Sequence, residues 1–157
     1  DRIAVAKGKL YVLDRARGQV LRLAPDLSIE QRYGCSDCSA GLADFVLAGD
    51  SLLALEPRDK KVFRFRDDGT ISEELKLDDQ VEFPVSLAVG PSEFLYILDR
   101  HQNSVLVYDQ FGVFRYSFLA TGQSVNHVYF ARQIRFDPWE RLCVVDEGNG
   151  RVEVFSR

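Results

Sequence analysis

The chain has no methionine, one tryptophan, two histidines and no apolar run near the ~20 residues needed to span a bilayer. No eleven-residue window carries a persuasive helical period, which excludes helical bundles and strand–helix–strand units. There is no Gly-rich phosphate loop, and no nucleophile elbow places a serine beside His101 or His127. Basic excess is also lacking: the net charge of −4 argues against a dedicated nucleic-acid binder. Three cysteines are too few, with these histidines, to complete an evident zinc site. Cys35 and Cys38 form Cys-Ser-Asp-Cys in a polar loop, and Ser39 stands where haem attachment would need histidine. A disulfide tying that loop is expected, with two unpaired thiols as the alternative. Cys143 lies in an apolar stretch and reads as a small buried hydrophobe. The chain opens at Asp1, as a chain freed of a leader or cut from a longer protein would.

What the chain does have is a repeat. An apolar run ends in a carboxylate, five variable residues follow, and an alternating strand begins at valine. Leu10-Tyr-Val-Leu-Asp14 leads to Val20, and Leu52-Leu-Ala-Leu-Glu56 leads to Val62. Leu95-Tyr-Ile-Leu-Asp99 leads to Val105, and Leu142-Cys-Val-Val-Asp146 leads to Val152. Asp14, Glu56, Asp99 and Asp146 follow at intervals of 42, 43 and 47 residues. Periods of this length mark stacked supersecondary units.

Each copy also carries an apolar piece before the run, from Ile3, Phe45, Leu87 and Ile134, reached by a turn rich in Gly, Pro or Asp. Where a fourth segment follows, as in residues 71–77 and 114–118, it alternates with period two. The expectation is an all-β fold, a β-propeller of four-stranded antiparallel blades at about residues 1–34, 42–78, 84–119 and 131–157 of one domain. About four blades are present, as a four-bladed ring or as part of a larger propeller. The carboxylate closing each second strand is expected to accept backbone N–H groups of the loop beside it, acting as a fastener.

Residues 95–109 and 142–155 resemble the NHL repeat family: apolar run, Asp, polar loop with Asn (Asn103, Asn149), then Val-x-Val and an aromatic. The first two copies lack the loop Asn, and Glu56 replaces Asp in the second. The resemblance implies a propeller that acts mainly as a binding platform.

Function is therefore expected on the face carrying the five-residue loops and the inter-blade connections near 33–44, 78–84 and 120–133. The candidate rim is Arg15, Arg17, Arg58, Lys60, Arg100, His101, Asn103, His127, Tyr129, Asn149 and Arg151. Its basic loops oppose turns rich in Asp26, Asp67, Asp68, Asp109 and Asp137, so the charge is expected to be polarised. A calcium-dependent lactonase or esterase would need roughly six to eight oxygen ligands meeting at the inner strands, and these strands show no inward acids. The reading is a non-catalytic scaffold binding a protein, or a polysaccharide, with no cofactor or metal. A calcium-dependent enzyme is the alternative, and nucleic-acid binding a weaker one. Homo-oligomers or association with further blades, and a bacterial extracytoplasmic setting, complete the expectation.

Overall fold

Alternating apolar residues separated by tight turns give antiparallel hairpins, and the structure, a computed structural model, is built of these. It describes residues 2–156. Two compact units divide between Lys76 and Leu77. In the first unit, β1 (Ile3–Ala6), β2 (Lys9–Asp14), β3 (Gln19–Leu23) and β4 (Ile29–Gly34) form one meander. A second meander follows, of β5 (Asp44–Ala48), β6 (Ser51–Glu56), β7 (Lys61–Phe65) and β8 (Ile71–Lys76). The second unit holds β9 (Pro84–Val89), β10 (Leu95–Asp99), β11 (Ser104–Tyr108) and β12 (Phe114–Phe118). After a short parallel pair, β13 (Ala120–Thr121) with β14 (His127–Val128), come β15 (Ala131–Phe136), β16 (Leu142–Asp146) and β17 (Arg151–Phe155). These four antiparallel sheets are the blades of a β-propeller. Among the described residues the fourth has three strands, with β17 at its edge. Among the described residues helix is confined to single turns at Pro91–Glu93 and Glu147–Asn149.

Blades pack face to face within each unit. In the first, Leu13, Val20 and Tyr33 of blade one join Phe45, Leu52, Ala54, Phe63 and Phe65 of blade two in one core. In the second, Leu98 and Val105 of blade three join Ile134, Leu142 and Val144 of blade four. Each Val, Leu, Ile and Phe among them contributes roughly 1.5–3 kcal/mol on burial. The outer strands β4, β8 and β12 are largely exposed and polar, as sheet edges need to be.

One turn recurs in all four blades. In blade three, the Gly112 N–H donates to the Asp109 carbonyl at 3.0 Å and the Asp109 N–H to the Val113 carbonyl at 3.0 Å. The same pair of bonds closes residues 24–28, 66–70 and 137–141. The fourth residue is left-handed each time: Leu27, Gly69, Gly112 and Glu140 have φ of 66°, 81°, 80° and 60°. An aspartate side chain caps each turn. Asp109 accepts the N–H groups of Phe111 (2.9 Å) and Val113 (3.0 Å) and faces Arg115. Those bonds, with the Val113 amide foremost, hold its carboxyl below its ordinary value. Asp26 and Asp68 are lowered by the hydroxyl and amide of Ser28 and Thr70. At Asp137 burial pushes upward, but the bonds from Arg141 and Trp139 outweigh it and the carboxyl is also lowered.

A depressed folded pKa means that stability is present above the unfolded value of 3.8 and lost as pH falls through the folded one. The unfolding midpoint of the wild type is therefore expected to fall steeply below about pH 4. Asp109→Asn, which keeps the turn geometry without the charge, should be less stable at neutral pH and show a flatter profile between pH 5 and 2. Parallel profiles in thermal melts would reject this account.

Candidate functional site

The loops after β2, β6, β10 and β16 start at the repeated carboxylates, and the bonds these make define the loop face. Asp99 is fully buried and accepts four backbone N–H groups. Two come from its own loop, His101 at 2.9 Å and Gln102 at 3.0 Å. The other two come from the preceding connection, Glu82 at 2.5 Å and Phe83 at 2.8 Å. Glu56, also buried, takes the Asp59 N–H of its loop at 2.5 Å and the Ala40 N–H of the preceding connection at 3.0 Å. Asp146 takes the Tyr129 N–H at 2.8 Å, the Asn149 amide at 2.7 Å and the Arg151 guanidinium at 3.0 Å. Asp14, the most exposed of the four, takes the Arg17 N–H at 3.1 Å and its guanidinium at 3.0 Å. The Arg17 side-chain bond is the main reason its carboxyl lies below the usual range.

The loop conformation repeats with the bonding. The fourth loop residue is left-handed in every copy: Gly18, Lys60, Asn103 and Gly150 have φ of 61°, 55°, 50° and 64°. At Gly18 glycine is doubly required, because a Cβ there would lie 2.6 Å from the Cα of Gly41. The connection carrying Gly41 is held further by the Cys35–Cys38 disulfide, whose Cα atoms are 5.4 Å apart, and by Ser39 Oγ donating to Asp59 at 2.6 Å.

The candidate rim residues divide by what their side chains do. Arg15 and Arg58 are exposed in the first unit, with Lys60 half-buried and Arg17 on Asp14. In the second unit several are spent inside the protein. Asn103 is 6% exposed; its amide donates to Thr121 Oγ1 (3.1 Å) and its oxygen accepts the Phe130 N–H (2.8 Å). Asn149 donates to the Gly122 carbonyl at 2.9 Å. Arg151 clamps the 123–127 segment by bonds to the carbonyls of Gln123 (2.8 Å) and His127 (2.8 Å). His127 Nδ1 lies 2.9 Å from both Ser124 Oγ and the Val125 carbonyl. A serine does stand beside a histidine, which the sequence did not show. The carbonyl requires a proton on Nδ1, so that nitrogen is a donor and does not activate the hydroxyl.

Also outward on the loops of the second unit is an aromatic–arginine cluster that the rim did not fully include. Phe83 (45% exposed) stacks on the His101 ring at 4.7 Å and 13°. Arg100 lies over the Phe130 ring at 5.6 Å, and Phe130 meets Tyr129 edge-on at 4.4 Å, both rings 42% exposed. Arg100 and Arg132 share Glu147, each at 3.4 Å. Phe83 and Phe130 fall at the ends of inter-blade connections, and this place in the chain was their one sequence signal.

One inner-strand acid also differs from the sequence reading. Asp44 begins β5, is fully buried, and faces the buried Arg2 at 3.1 Å. Its charge is met by a guanidinium. Among the described residues, no three His, Cys, Asp or Glu side chains come together as a metal would need.

No protein-family model and no curated protein matches the chain by sequence. Solved structures match its fold. A streptogramin B lyase structure superimposes with a TM-score of 0.73 at 13% identity, over 99% of this chain and 53% of that one. The glutaminyl cyclase of Myxococcus xanthus gives 0.68 at 14% identity, over 99% and 73%. The WD40 domain of Pan2 from Neurospora crassa gives 0.65 at 13% identity, over 90% and 42%. The chain thus spans about half the length of the lyase. At these identities the shared property is the propeller fold.

Removing the Asp99 carboxylate would leave four backbone donors without their acceptor. Asp99→Ala is expected to lower stability by about 2–4 kcal/mol, and Asp99→Asn by less, in denaturant titrations. Lys60→Gly, which relieves the left-handed strain, should raise stability by about 0.5–1 kcal/mol. An unchanged midpoint in Asp99→Ala would show that the carboxylate is not the loop's fastener.

Proposed function

We propose that the chain is a non-catalytic, NHL-type propeller domain that binds a protein partner through its loop face. The observation that carries this is the outward cluster of Phe83, His101, Arg100, Phe130 and Tyr129. Large aromatic rings beside arginine, held on loops already ordered by Asp99 and Asp146, are the composition of energetic centres in protein interfaces. They offer apolar area with little rotamer entropy left to lose. Arg100 above an aromatic face, with Arg132 nearby, suits a partner surface bearing carboxylates. In the first unit Arg15 and Arg58 on the same class of loop favour the same partner charge.

The carboxylates that a calcium-dependent lactonase would use are committed elsewhere, Asp44 to Arg2 and the loop carboxylates to donors of the backbone and neighbouring side chains. Those bonds favour the binding reading over the enzymatic one. The loop disulfide supports an oxidising, extracytoplasmic setting.

The test is affinity capture from an extracytoplasmic extract, with the wild-type chain and the double variant Phe83→Ala/Arg100→Glu as baits. The partner is expected to be recovered by the wild type and to bind the variant at least about thirtyfold more weakly, with an unchanged circular dichroism spectrum. Equal recovery by both baits would remove the loop face as the binding surface. A calcium titration by calorimetry is expected to give no saturable heat; saturable binding together with lactone turnover would restore the enzymatic reading.

A further inference from the structure

Inside each unit the two packed blades leave a cleft on their turn side, and the strand register lets the two clefts be compared residue by residue. Tyr11 and Arg22 stand opposite one another in blade one, as Tyr96 and Val107 do in blade three. Val20 pairs with Tyr33, as Val105 pairs with Phe118. Across the cleft, Leu47 and Leu52 of blade two correspond to Phe136 and Leu142 of blade four.

In the first unit the chain brings its own cations to this place. Lys7, Arg66 and Asp67 line the cleft beside Tyr11 and Tyr33, round a volume of about 450 Å³. The Arg22 guanidinium donates to the Tyr33 hydroxyl at 3.1 Å and to the Asp67 carboxylate, and Glu30 lies 3.4 Å from its Nε. Three acceptors therefore answer it, as a group with five N–H donors requires.

In the second unit the same place holds rings. Tyr96, Tyr116, Phe118, Phe136, Phe155 and the buried Leu142 border about 280 Å³. Tyr96 meets Phe136 edge-on at 4.9 Å and Phe118 at 6.4 Å, and Phe118 meets Phe155 at 6.5 Å. Their planes lie 74–79° apart, so ring faces and edges border one space. Among the described residues of this lining the one charge is the exposed carboxylate of Glu140, on the Asp137–Arg141 turn.

We propose that this cleft binds the trimethylammonium head of a methylated lysine side chain. Aromatic faces carry negative potential and attract a cation within about 6 Å of a ring centroid, and Glu140 adds charge of the same sign. The supply of acceptors then decides which cation. Val107 stands in the place of Arg22, Phe118 in that of Tyr33 without its hydroxyl, and Arg115 in the bulge position of Glu30. Arg115 is itself held on Asp109 at 3.1 Å. A guanidinium or primary ammonium would lose here the hydrogen bonds it makes in water, whereas a trimethylated nitrogen keeps its charge and has no N–H to satisfy. The volume lies just under the roughly 300–1,000 Å³ of sites for drug-sized ligands, as suits a head group on an apolar stem. Phosphocholine would bring a phosphate up to Glu140, and like charges so placed repel. The proposal stands apart from the loop-face reading, since none of these residues lies on the carboxylate loops.

Calorimetric titration of the 157-residue chain with N-acetyl-trimethyllysine methylamide tests it, and saturable binding is expected. The unmethylated lysine probe should bind at least about tenfold more weakly, and so should the isostere with a tert-butyl group in place of trimethylammonium. Tyr116→Ala, at a ring 50% exposed on the outer strand, should weaken binding at least about fivefold, and Glu140→Gln about threefold, with unchanged circular dichroism. Phe83→Ala/Arg100→Glu should bind the probe as the wild type does. Absence of saturable heat, equal binding of the tert-butyl isostere, or wild-type affinity in both Tyr116→Ala and Glu140→Gln would each overturn the proposal. Tighter binding of phosphocholine than of the trimethyllysine probe would overturn the lysine assignment.

Discussion

The carboxylate at the end of each blade's second strand is the interaction on which the loop face depends. A buried charge costs several kcal/mol unless polar groups answer it. At Asp99 the answer comes from four backbone N–H groups, and at Glu56 from two. At Asp146 a backbone N–H, an amide and a guanidinium share the task. The three buried carboxylates reach in two directions, into their own loop and into the connection that precedes them in the chain. One residue therefore orders two segments, and the aromatic rings on those segments inherit their positions from it. Phe83, whose N–H bonds Asp99 and whose ring stacks on the following His101, is the clearest case.

The features legible in the sequence are those that periodicity records. Strands alternate because sheets have two faces, and the Asp-rich turns recur because each needs a side-chain acceptor and a left-handed residue. Blade strands, turns and the special register of the carboxylate could be read for these reasons. Side-chain direction on the loops could not. Asn103, Asn149 and Arg151 read as outward polar residues, yet the extra backbone of the 120–130 connection supplies carbonyl and amide partners that draw them inward. Phe83 and Phe130 carry no periodic signal, since each lies on a connection of different length. The Ser124–His127 contact arises within one turn and has no spacing motif to announce it.

Burial itself is only half legible. Ile3 and Phe45 occupy one repeat position and are equally apolar, yet they differ from 72% to 1% in exposure. Nothing local separates them; the difference is whether a neighbouring blade covers that face. A repeat protein writes the same face into every unit, so the residue type at a position records which face it lies on and not whether that face is covered. Val5, Val145, Val152 and Val154 are apolar and exposed for the same reason.

The same repeat narrows where specificity resides. Five residues separate each carboxylate from the valine of the next strand, but they are not equally free. The third is tied back to the carboxylate, through its N–H in Arg17, Asp59 and Gln102 and through its side chain in Asn149. The fourth is confined to the left-handed region, where β-branched and bulky residues are strained. The fifth already pairs in the following strand, as Gln19, Lys61, Ser104 and Arg151 do. The first two are Arg15 and Ala16, Pro57 and Arg58, Arg100 and His101, Glu147 and Gly148. In the second unit their amides also serve the loop, Arg100 donating to the Phe83 carbonyl, His101 to Asp99 and Gly148 to the Tyr129 carbonyl. Those positions hold the exposed cations of the first unit and both the guanidinium and imidazole of the aromatic cluster in the second. Those amide bonds do not depend on the side chain, so chemical identity can vary at Arg15, Arg58, Arg100 and His101 at little cost in stability. At Gly148, by contrast, a Cβ would lie 2.3 Å from the Tyr129 carbonyl oxygen.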